Sequence, residues 1–262
     1  MENVFLASDK YQTYRKDILT FKDRLALDSR IYFTLKYARI VFSTRRQALR
    51  KVYDRAAWAE SSFYIFQFIE KAGGRFDIAG MDNINKHNGP VLFISNHMST
   101  LESMIFPCII EPRKEVTFVV KESLVKHPLF KDVMLSIDPI VVGRSDPRKD
   151  FEAVMNKGGE LLSKGISIVI FPQSTRSLEF KPEEFNSMGV KLAKKNNVPI
   201  IPVAIKTDYW GNGKIMKELG PIDHKKTIFI KFGEPFMVSG SGKEDNNKII
   251  NFIQSSLAEW KD

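Results

Sequence analysis

Residues 91–102 read Val-Leu-Phe-Ile-Ser-Asn-His-Met-Ser-Thr-Leu-Glu, a short apolar run followed at once by polar and titratable side chains. Similar short runs, rich in β-branched residues, recur after residue 76, at 116–120, 140–142, 166–171, 200–205 and 227–232. Helical patterns lie between several of them. Strands that alternate with helices form α/β domains. The sequence therefore predicts an α/β fold over residues 76–262, with a mixed, largely parallel sheet flanked by helices.

Residues 1–75 differ in composition and predict an N-terminal helical arm. They contain no proline, and glycine occurs only at 73–74. Two stripes at helical spacing, one basic and one apolar, predict an amphipathic helix. The basic stripe comprises Lys36, Arg39, Ser43, Arg46 and Arg50, and the apolar stripe comprises Ile31, Leu35, Ala38 and Phe42. An aromatic segment follows at 58–69. Two interpretations are open for it: a helix packed on the domain, or a membrane-docking surface that rests among lipid headgroups.

The charge distribution narrows the choice of partners. The chain has 262 residues and a net charge of +9, and residues 1–75 hold most of this charge, with 15 Lys and Arg against 8 Asp and Glu. A basic arm predicts an anionic partner, either a membrane or a nucleic acid. The sequence contains no nucleic-acid recognition motif, and the basic stripe lies beside an apolar one. We therefore expect a membrane surface with anionic lipid, and no nucleic acid.

Composition also limits the location of the protein. The single cysteine, Cys108, allows neither an internal disulfide nor a multi-cysteine metal site, which is typical of a reducing compartment. No apolar stretch reaches the ~18 residues of a membrane-spanning helix. Charged residues interrupt the first twenty positions, so no secretory leader is predicted. With the basic arm, these features predict a peripheral membrane protein on the cytoplasmic face.

The polar residues after each predicted strand are candidates for chemistry, because sites in open α/β sheets lie beyond the carboxyl ends of strands. His97 follows the first run, and Glu102 comes five residues later, as in a general-base pair. Positions i and i+5 lie ~140° apart on a helix, so the pair meets only if the chain turns between them. Ser99 to Glu102 also has the S-x-x-E form of a capping box, with Ser99 as the N-cap. Spacing alone leaves both roles open for Glu102.

Cations follow three further runs. Lys121 comes after 116–120, Arg144 after 140–142 and Arg176 after 166–171. Together with His97, they predict a site for an anionic, phosphorylated substrate beside a general base. The sequence contains no P-loop, no G-x-G-x-x-G motif and no metal-spaced cluster of His, Cys and Asp.

The order of these motifs resembles the glycerolipid acyltransferase family typified by 1-acyl-glycerol-3-phosphate acyltransferase. The family pattern N-H-x-x-x-x-D corresponds to Asn96-His97 with Glu102, and the arginine segment to Gly143-Arg144-Ser145. The pattern F-P-E-G-T-R-S corresponds to Phe171-Pro172-Gln173-Ser174-Thr175-Arg176-Ser177, and the V-P-I strand to residues 198–205. The resemblance covers about residues 74–235.

The resemblance implies acyl transfer to a lysophospholipid or a glycerol-phosphate-like acceptor. His97 would deprotonate the acceptor hydroxyl, which attacks the thioester of acyl-CoA or an acyl-carrier protein, and Glu102 would orient His97. The substrate would be bound by the cations and by residues of the F-P motif, which are Lys121, Arg144, Gln173, Ser174, Thr175 and Arg176. The strand at 199–205 would support the acyl side. No metal or prosthetic group is implied; the acyl donor is a co-substrate.

Three positions depart from the family pattern. Glu102 replaces an aspartate, and Gln173-Ser174 replaces Glu-Gly. The leading hypothesis is a membrane-associated acyltransferase. The three departures motivate the alternative, a catalytically silent relative that binds lipid or an acyl carrier.

Overall fold

The computed structural model describes residues 8–13, 30–173, 175–213 and 220–260. The strands are β1 (Tyr11–Gln12), β2 (Arg75–Ala79), β3 (Leu92–Ser95), β4 (Val116–Lys121), β5 (Ile140–Val142), β6 (Ser167–Ile170), β7 (Ile200–Lys206) and β8 (Thr227–Phe232). The helices are α1 (Arg30–Leu49), α2 (Arg55–Lys71), α3 (Leu101–Ile110), α4 (Glu122–Lys126), α5 (Lys131–Leu135), α6 (Pro147–Ser163), α7 (Met188–Asn196) and α8 (Lys243–Glu259). Short 3₁₀ turns lie at Met81–Asn85 and Pro182–Glu184.

The described strands form one sheet in the order β1-β2-β8-β7-β3-β6-β4-β5. The five strands β7, β3, β6, β4 and β5 are parallel to one another. β8 runs antiparallel to β7 and parallel to β2, and β1 pairs antiparallel with β2. The predicted mixed, largely parallel sheet is confirmed, and all six predicted strands are present.

Helices cover both faces of the sheet. In β3, Phe93 packs on the side of α1, α2 and α3, whereas Leu92 and Ile94 pack on the side of α6, α7 and α8. Strands buried on both faces read as continuous apolar runs, which explains why these strands stand out in the sequence. Because these strands are parallel, the carboxyl ends of β3, β4, β5 and β6 lie at the same end of the sheet.

The N-terminal arm is helical in α1 and α2, but it also contributes a strand that the helical prediction misses. β1 covers the outer edge of β2, with Tyr11 opposite Ile78. The Tyr11 hydroxyl and the Thr13 hydroxyl donate to the Glu70 carboxylate in α2, at 2.7 and 2.5 Å. Segment 8–13 is therefore attached to both the sheet and α2.

Of the two interpretations of the aromatic segment, the structure shows the packed helix. α2 buries Trp58, Phe66 and Ile69 against the domain. α1 buries Tyr37 and Thr44 but leaves an apolar stripe exposed on its other side, at Leu35, Phe42 and Leu49. The side chain of Ile31 lies outside the described residues. A domain boundary at residue 75 stays a prediction. In the described ranges, no helix has the length and apolar character needed to cross a membrane.

Candidate active site

Five of the eight predicted site residues line a cavity of about 560 Å³ at the carboxyl ends of the parallel strands. His97 follows β3, Lys121 ends β4, Arg144 follows β5, and Thr175 and Arg176 follow β6. All five line this cavity. Predicted residues from four strand ends are thus brought together in space.

His97 and Glu102 form a direct pair. His97 Nδ1 lies 2.8 Å from Glu102 Oε1. The chain turns through residues 98–100 before α3 begins at Leu101, which brings together two side chains that an unbroken helix would separate. Glu102 is fully buried, whereas His97 keeps a small exposed fraction of 8% at the cavity. With Nδ1 facing the carboxylate, Nε2 is the ring nitrogen left to exchange a proton with a ligand.

Glu102 also bonds the backbone at the start of α3. Its Oε1 accepts from the amides of Met98 and Ser99, at 2.7 and 2.9 Å. Its Oε2 accepts from the hydroxyls of Ser99 and Thr207, at 2.9 and 2.7 Å. The Ser99 amide contact is the reciprocal half of a capping box. The two roles that spacing left open therefore coexist, although the N-cap residue is Thr100, one position after the predicted Ser99.

These contacts keep Glu102 ionised. Burial by itself would raise the pKa of the Glu102 carboxyl. The hydrogen bond and charge of His97, together with the Thr207 hydroxyl, outweigh burial and hold the pKa below its ordinary range. A buried, charged acceptor fixes the tautomer and the orientation of the imidazole.

Neighbouring side chains hold the His97 ring and backbone. The ring stacks on Phe171, with centroids 4.2 Å apart and planes at 19°. The His97 amide donates to Gln173 Oε1 at 2.9 Å. Gln173 is only 1% exposed and is not among the described residues that line the cavity, so its observed contact is with the histidine loop. Ser174 lies outside the described residues.

Arg144 and Arg176 stand together at the polar part of the cavity. The Arg144 backbone is left-handed, with φ of +64°. The Asp150 carboxylate accepts from the amides of Gly143 and Arg144, at 2.8 Å each, and so stabilises this turn. Burial of the guanidinium and the charge of Arg176 lower the pKa of Arg144, while Asp150 opposes that change. Two cations that disfavour each other's charge favour a bound anion between them.

The rest of the cavity is largely apolar and extends beneath the N-terminal helices. Its apolar lining includes Tyr37, Ile40 and Val41 of α1, Trp58 and Ile65 of α2, and Met104, Phe118, Val133, Met134 and Ile137. No described residue of 199–205 lines it, so the strand that the resemblance assigned to the acyl side does not reach this cavity.

Sequence reasoning missed two parts of the site. The cavity-lining face of α1 comprises positions 37, 40, 41 and 44, which have the i, i+3, i+4, i+7 spacing of one helix face. Thr207, the second hydroxyl on Glu102, directly follows β7, where the rule about strand ends would have found it. Within the described ranges, no three His, Cys, Asp or Glu side chains gather into a metal-binding group.

The fold is that of a solved enzyme. The crystal structure of the 1-acyl-sn-glycerophosphate acyltransferase from Thermotoga maritima superposes with a TM-score of 0.64 at 22% identity, covering 90% of this chain and 95% of that one. A 1-acyl-sn-glycerol-3-phosphate acyltransferase of Pseudomonas aeruginosa is 27% identical, over 77% of this chain and 76% of its own length. A chloroplastic enzyme of the same name from Brassica napus is 28% identical, and the chain spans 42% of its length.

The family model that matches this chain, together with the named relatives, defines the class of the protein as an acyltransferase. The sequence model of the Acyltransferase family matches residues 75–206, about half of the chain. The chain belongs to that family. The match covers β2 to β7 and with them His97, Glu102 and the three cations of the cavity.

Proposed function

We propose that this protein transfers an acyl group from a thioester donor, acyl-CoA or an acyl-carrier protein, to the free hydroxyl of 1-acyl-glycerol-3-phosphate. One observation carries the proposal: a single cavity joins the His97–Glu102 pair to guanidinium groups on one side and to an apolar interior on the other. A phosphorylated lipid acceptor and an acyl thioester require these three features together.

His97 acts as the general base in this proposal. Nε2 takes the proton of the acceptor hydroxyl as its oxygen attacks the thioester carbonyl carbon. The tetrahedral intermediate then collapses and the carbon–sulfur bond breaks. The sulfur takes the proton from His97 and leaves as the thiol. Glu102, held ionised by its contacts, stabilises the imidazolium that forms between these two steps.

Arg144 and Arg176 bind the acceptor phosphate, assisted by Lys121. Guanidinium groups suit phosphate because they donate two parallel hydrogen bonds and carry a permanent charge. The apolar interior between α1, α2 and β4 accommodates an acyl chain. Its volume of about 560 Å³ lies within the ~300–1,000 Å³ typical of small-molecule sites.

Two of the three departures from the family pattern, Glu102 and Gln173, keep hydrogen bonds to His97. Glu102 is one methylene longer than aspartate, yet its carboxylate reaches Nδ1 at 2.8 Å. Gln173 lacks a charge but still accepts from the His97 amide. These contacts favour an active enzyme over a silent relative that only binds lipid or an acyl carrier.

A lysolipid panel tests the proposal. Purified protein is given labelled acyl-CoA or acyl-carrier protein with lysophosphatidate, monoacylglycerol or lysophosphatidylcholine. We expect transfer to lysophosphatidate well above the other two acceptors. Arg144→Ala should raise KM for lysophosphatidate and leave the slow reaction with monoacylglycerol unchanged. Absence of transfer to any acceptor, with binding of lysolipid retained, would instead support the silent relative.

We also propose that α1 docks the protein on the cytoplasmic face of a membrane with anionic lipid. Leu35, Phe42 and Leu49 are 64%, 58% and 55% exposed and stand seven residues apart, so they form one stripe along the helix. Arg39 and Arg46 are exposed beside it. Apolar side chains flanked by cations are typical of helices that lie in the interface. Because the opposite side of α1 lines the cavity, docking would bring the lipid acceptor close to its site.

Vesicle flotation tests the docking proposal. Replacing Leu35, Phe42 and Leu49 by serine should release the protein from phosphatidylglycerol vesicles, and salt should weaken the binding of the wild type. Leu178→Ser is the matched control, because Leu178 is 53% exposed but lies far along the chain from α1. Equal flotation of the α1 variant and the control would overturn the proposal.

A further inference from the structure

The hydroxyl of Thr100 is a buried donor that has no hydrogen-bond partner among the residues the structure describes. Thr100 is 2% exposed and lines the cavity that contains His97. Among the described residues, none accepts from or donates to its Oγ1. Buried hydroxyls are normally hydrogen-bonded because desolvation is unfavourable, so an orphaned one in the lining of a cavity points to a ligand.

Local structure does not use this hydroxyl either. Thr100 is the N-cap of α3, a position where a threonine side chain ordinarily accepts from the first helical turn, yet it makes no such bond. Its backbone is helical, with φ of −75° and ψ of −24°. Ser99 Oγ accepts from the Leu101 amide at 3.1 Å instead, and Glu102 accepts from the Ser99 amide. The helix start is satisfied without Thr100.

We propose that Thr100 is a further catalytic residue, whose Oγ1–H donates to the carbonyl oxygen of the acyl thioester. The inference rests on the proposed acyl transfer. When the acceptor oxygen bonds to the carbonyl carbon, the carbon–oxygen π electrons move to that carbonyl oxygen, and the hydroxyl stabilises the resulting oxyanion. The hydrogen bond weakens again when the π bond re-forms and the thiol leaves.

The position of Thr100 fits an oxyanion better than it fits the acceptor phosphate. Thr100 lies at the N-terminus of the ten-residue helix α3, where the helix dipole favours negative charge. It follows His97 by three residues and lines the same cavity, whereas the phosphate has the guanidinium groups of Arg144 and Arg176. A neutral hydroxyl contributes most where charge appears only in the transition state.

The test compares Thr100→Val with Thr117→Val. Valine keeps the shape of threonine and removes only the hydroxyl. Loss of one oxyanion donor costs ~10²–10³ in kcat, so we expect that fall in Thr100→Val, with the thermal midpoint unchanged or higher because an unpaired buried group is removed. Thr117 is fully buried outside the cavity, and its hydroxyl donates to the Ile137 carbonyl at 2.8 Å. Thr117→Val should therefore lower the thermal midpoint and leave kcat within about twofold of wild type.

Two further measurements complete the test. Thr100→Ser should recover most of the turnover, because serine restores the donor. A thioether analogue of acyl-CoA, which lacks the carbonyl, should bind Thr100→Val and wild type equally. Full turnover in Thr100→Val, or weaker binding of the thioether by that variant, would overturn the role of Thr100. A wild type that transfers no acyl group would overturn the proposed function itself and this inference with it.

Discussion

Replacing Glu102 by glutamine separates the two roles that its carboxylate combines. In the structure, Oε1 accepts from His97 Nδ1 and two backbone amides, and Oε2 accepts from the Ser99 and Thr207 hydroxyls. A glutamine oxygen can keep the three bonds of Oε1. Its NH₂ group can donate to the two hydroxyls, which rotate to accept. The helix cap is therefore retained, and only the negative charge is lost.

The magnitudes of the two effects differ enough to distinguish them. Weaker hydrogen bonds to a neutral acceptor and relief of a buried charge are opposing changes of about 1–3 kcal/mol each. We expect the free energy of unfolding at pH 7 to change by only about 1 kcal/mol, the size of a cap. Turnover should fall by ~10²–10⁴, the range for general-base catalysis. That fall corresponds to about 3–5 kcal/mol in the activation barrier.

The assay combines steady-state acyl transfer with urea unfolding across pH. In the folded protein the pKa of Glu102 lies below its value in the unfolded chain, which is about 4.3. The ionised carboxylate therefore stabilises the fold fully above about pH 4.3, and this contribution is lost as the pH falls below that value. The free energy of unfolding of Glu102→Gln should therefore depend less on pH in the acid range than that of wild type. Glu102→Asp retains the charge, but its shorter side chain ends about 1.5 Å farther from His97 Nδ1. We therefore expect this variant to keep partial turnover. Full turnover in the glutamine variant would refute the pair and leave Glu102 as a helix cap.

Three further predictions address other parts of the molecule. His97→Ala should reduce turnover by ~10²–10⁴ and leave the thermal midpoint near that of wild type; retained turnover would contradict the proposed base. Burial raises the pKa of Glu111 to about 7, so its contribution to stability falls as the pH rises from about 4.3 to 7. In urea unfolding, Glu111→Gln should lose much less stability than wild type between these two pH values. An identical pH dependence in the two proteins would argue against the raised pKa of Glu111. Val41→Trp should fill the apolar cavity and shift donor preference toward shorter acyl chains, whereas Val52→Trp, at a position 62% exposed, should not; an unchanged preference in Val41→Trp would mean that the acyl chain binds elsewhere.

The sequence predicts much of the sheet and of the polar site because both follow from buried parallel strands. Such strands are apolar throughout, and polar residues begin where each strand ends. The two strands at the β1 end of the sheet are harder to recognise. β2 alternates buried Phe76 and Ile78 with the less buried Arg75, Asp77 and Ala79, a weaker pattern over five residues, and β1 has only two residues. Their pairing depends on contacts with distant parts of the chain.

The parts of the site that were not predicted depend on packing between elements. Spacing could not decide whether Glu102 reaches His97, because the answer depends on the turn at 98–100. The side of α1 that lines the cavity could not be chosen without knowing where α1 packs, and the predicted apolar stripe proved to be the exposed one at Leu35 and Phe42. Gln173 shares a motif with cavity residues, but its side chain turns toward the His97 backbone.

The strand at Tyr11–Gln12 bears on how the protein is best prepared. It occupies the outer edge of β2, and an uncovered edge strand offers unpaired amides and carbonyls to other chains. A shortened protein that begins after residue 13 would expose Arg75–Ala79 and remove two hydroxyl partners from Glu70. Such a truncation would favour self-association through the open edge. Trimming the N-terminus to its first long helix would therefore remove part of the sheet.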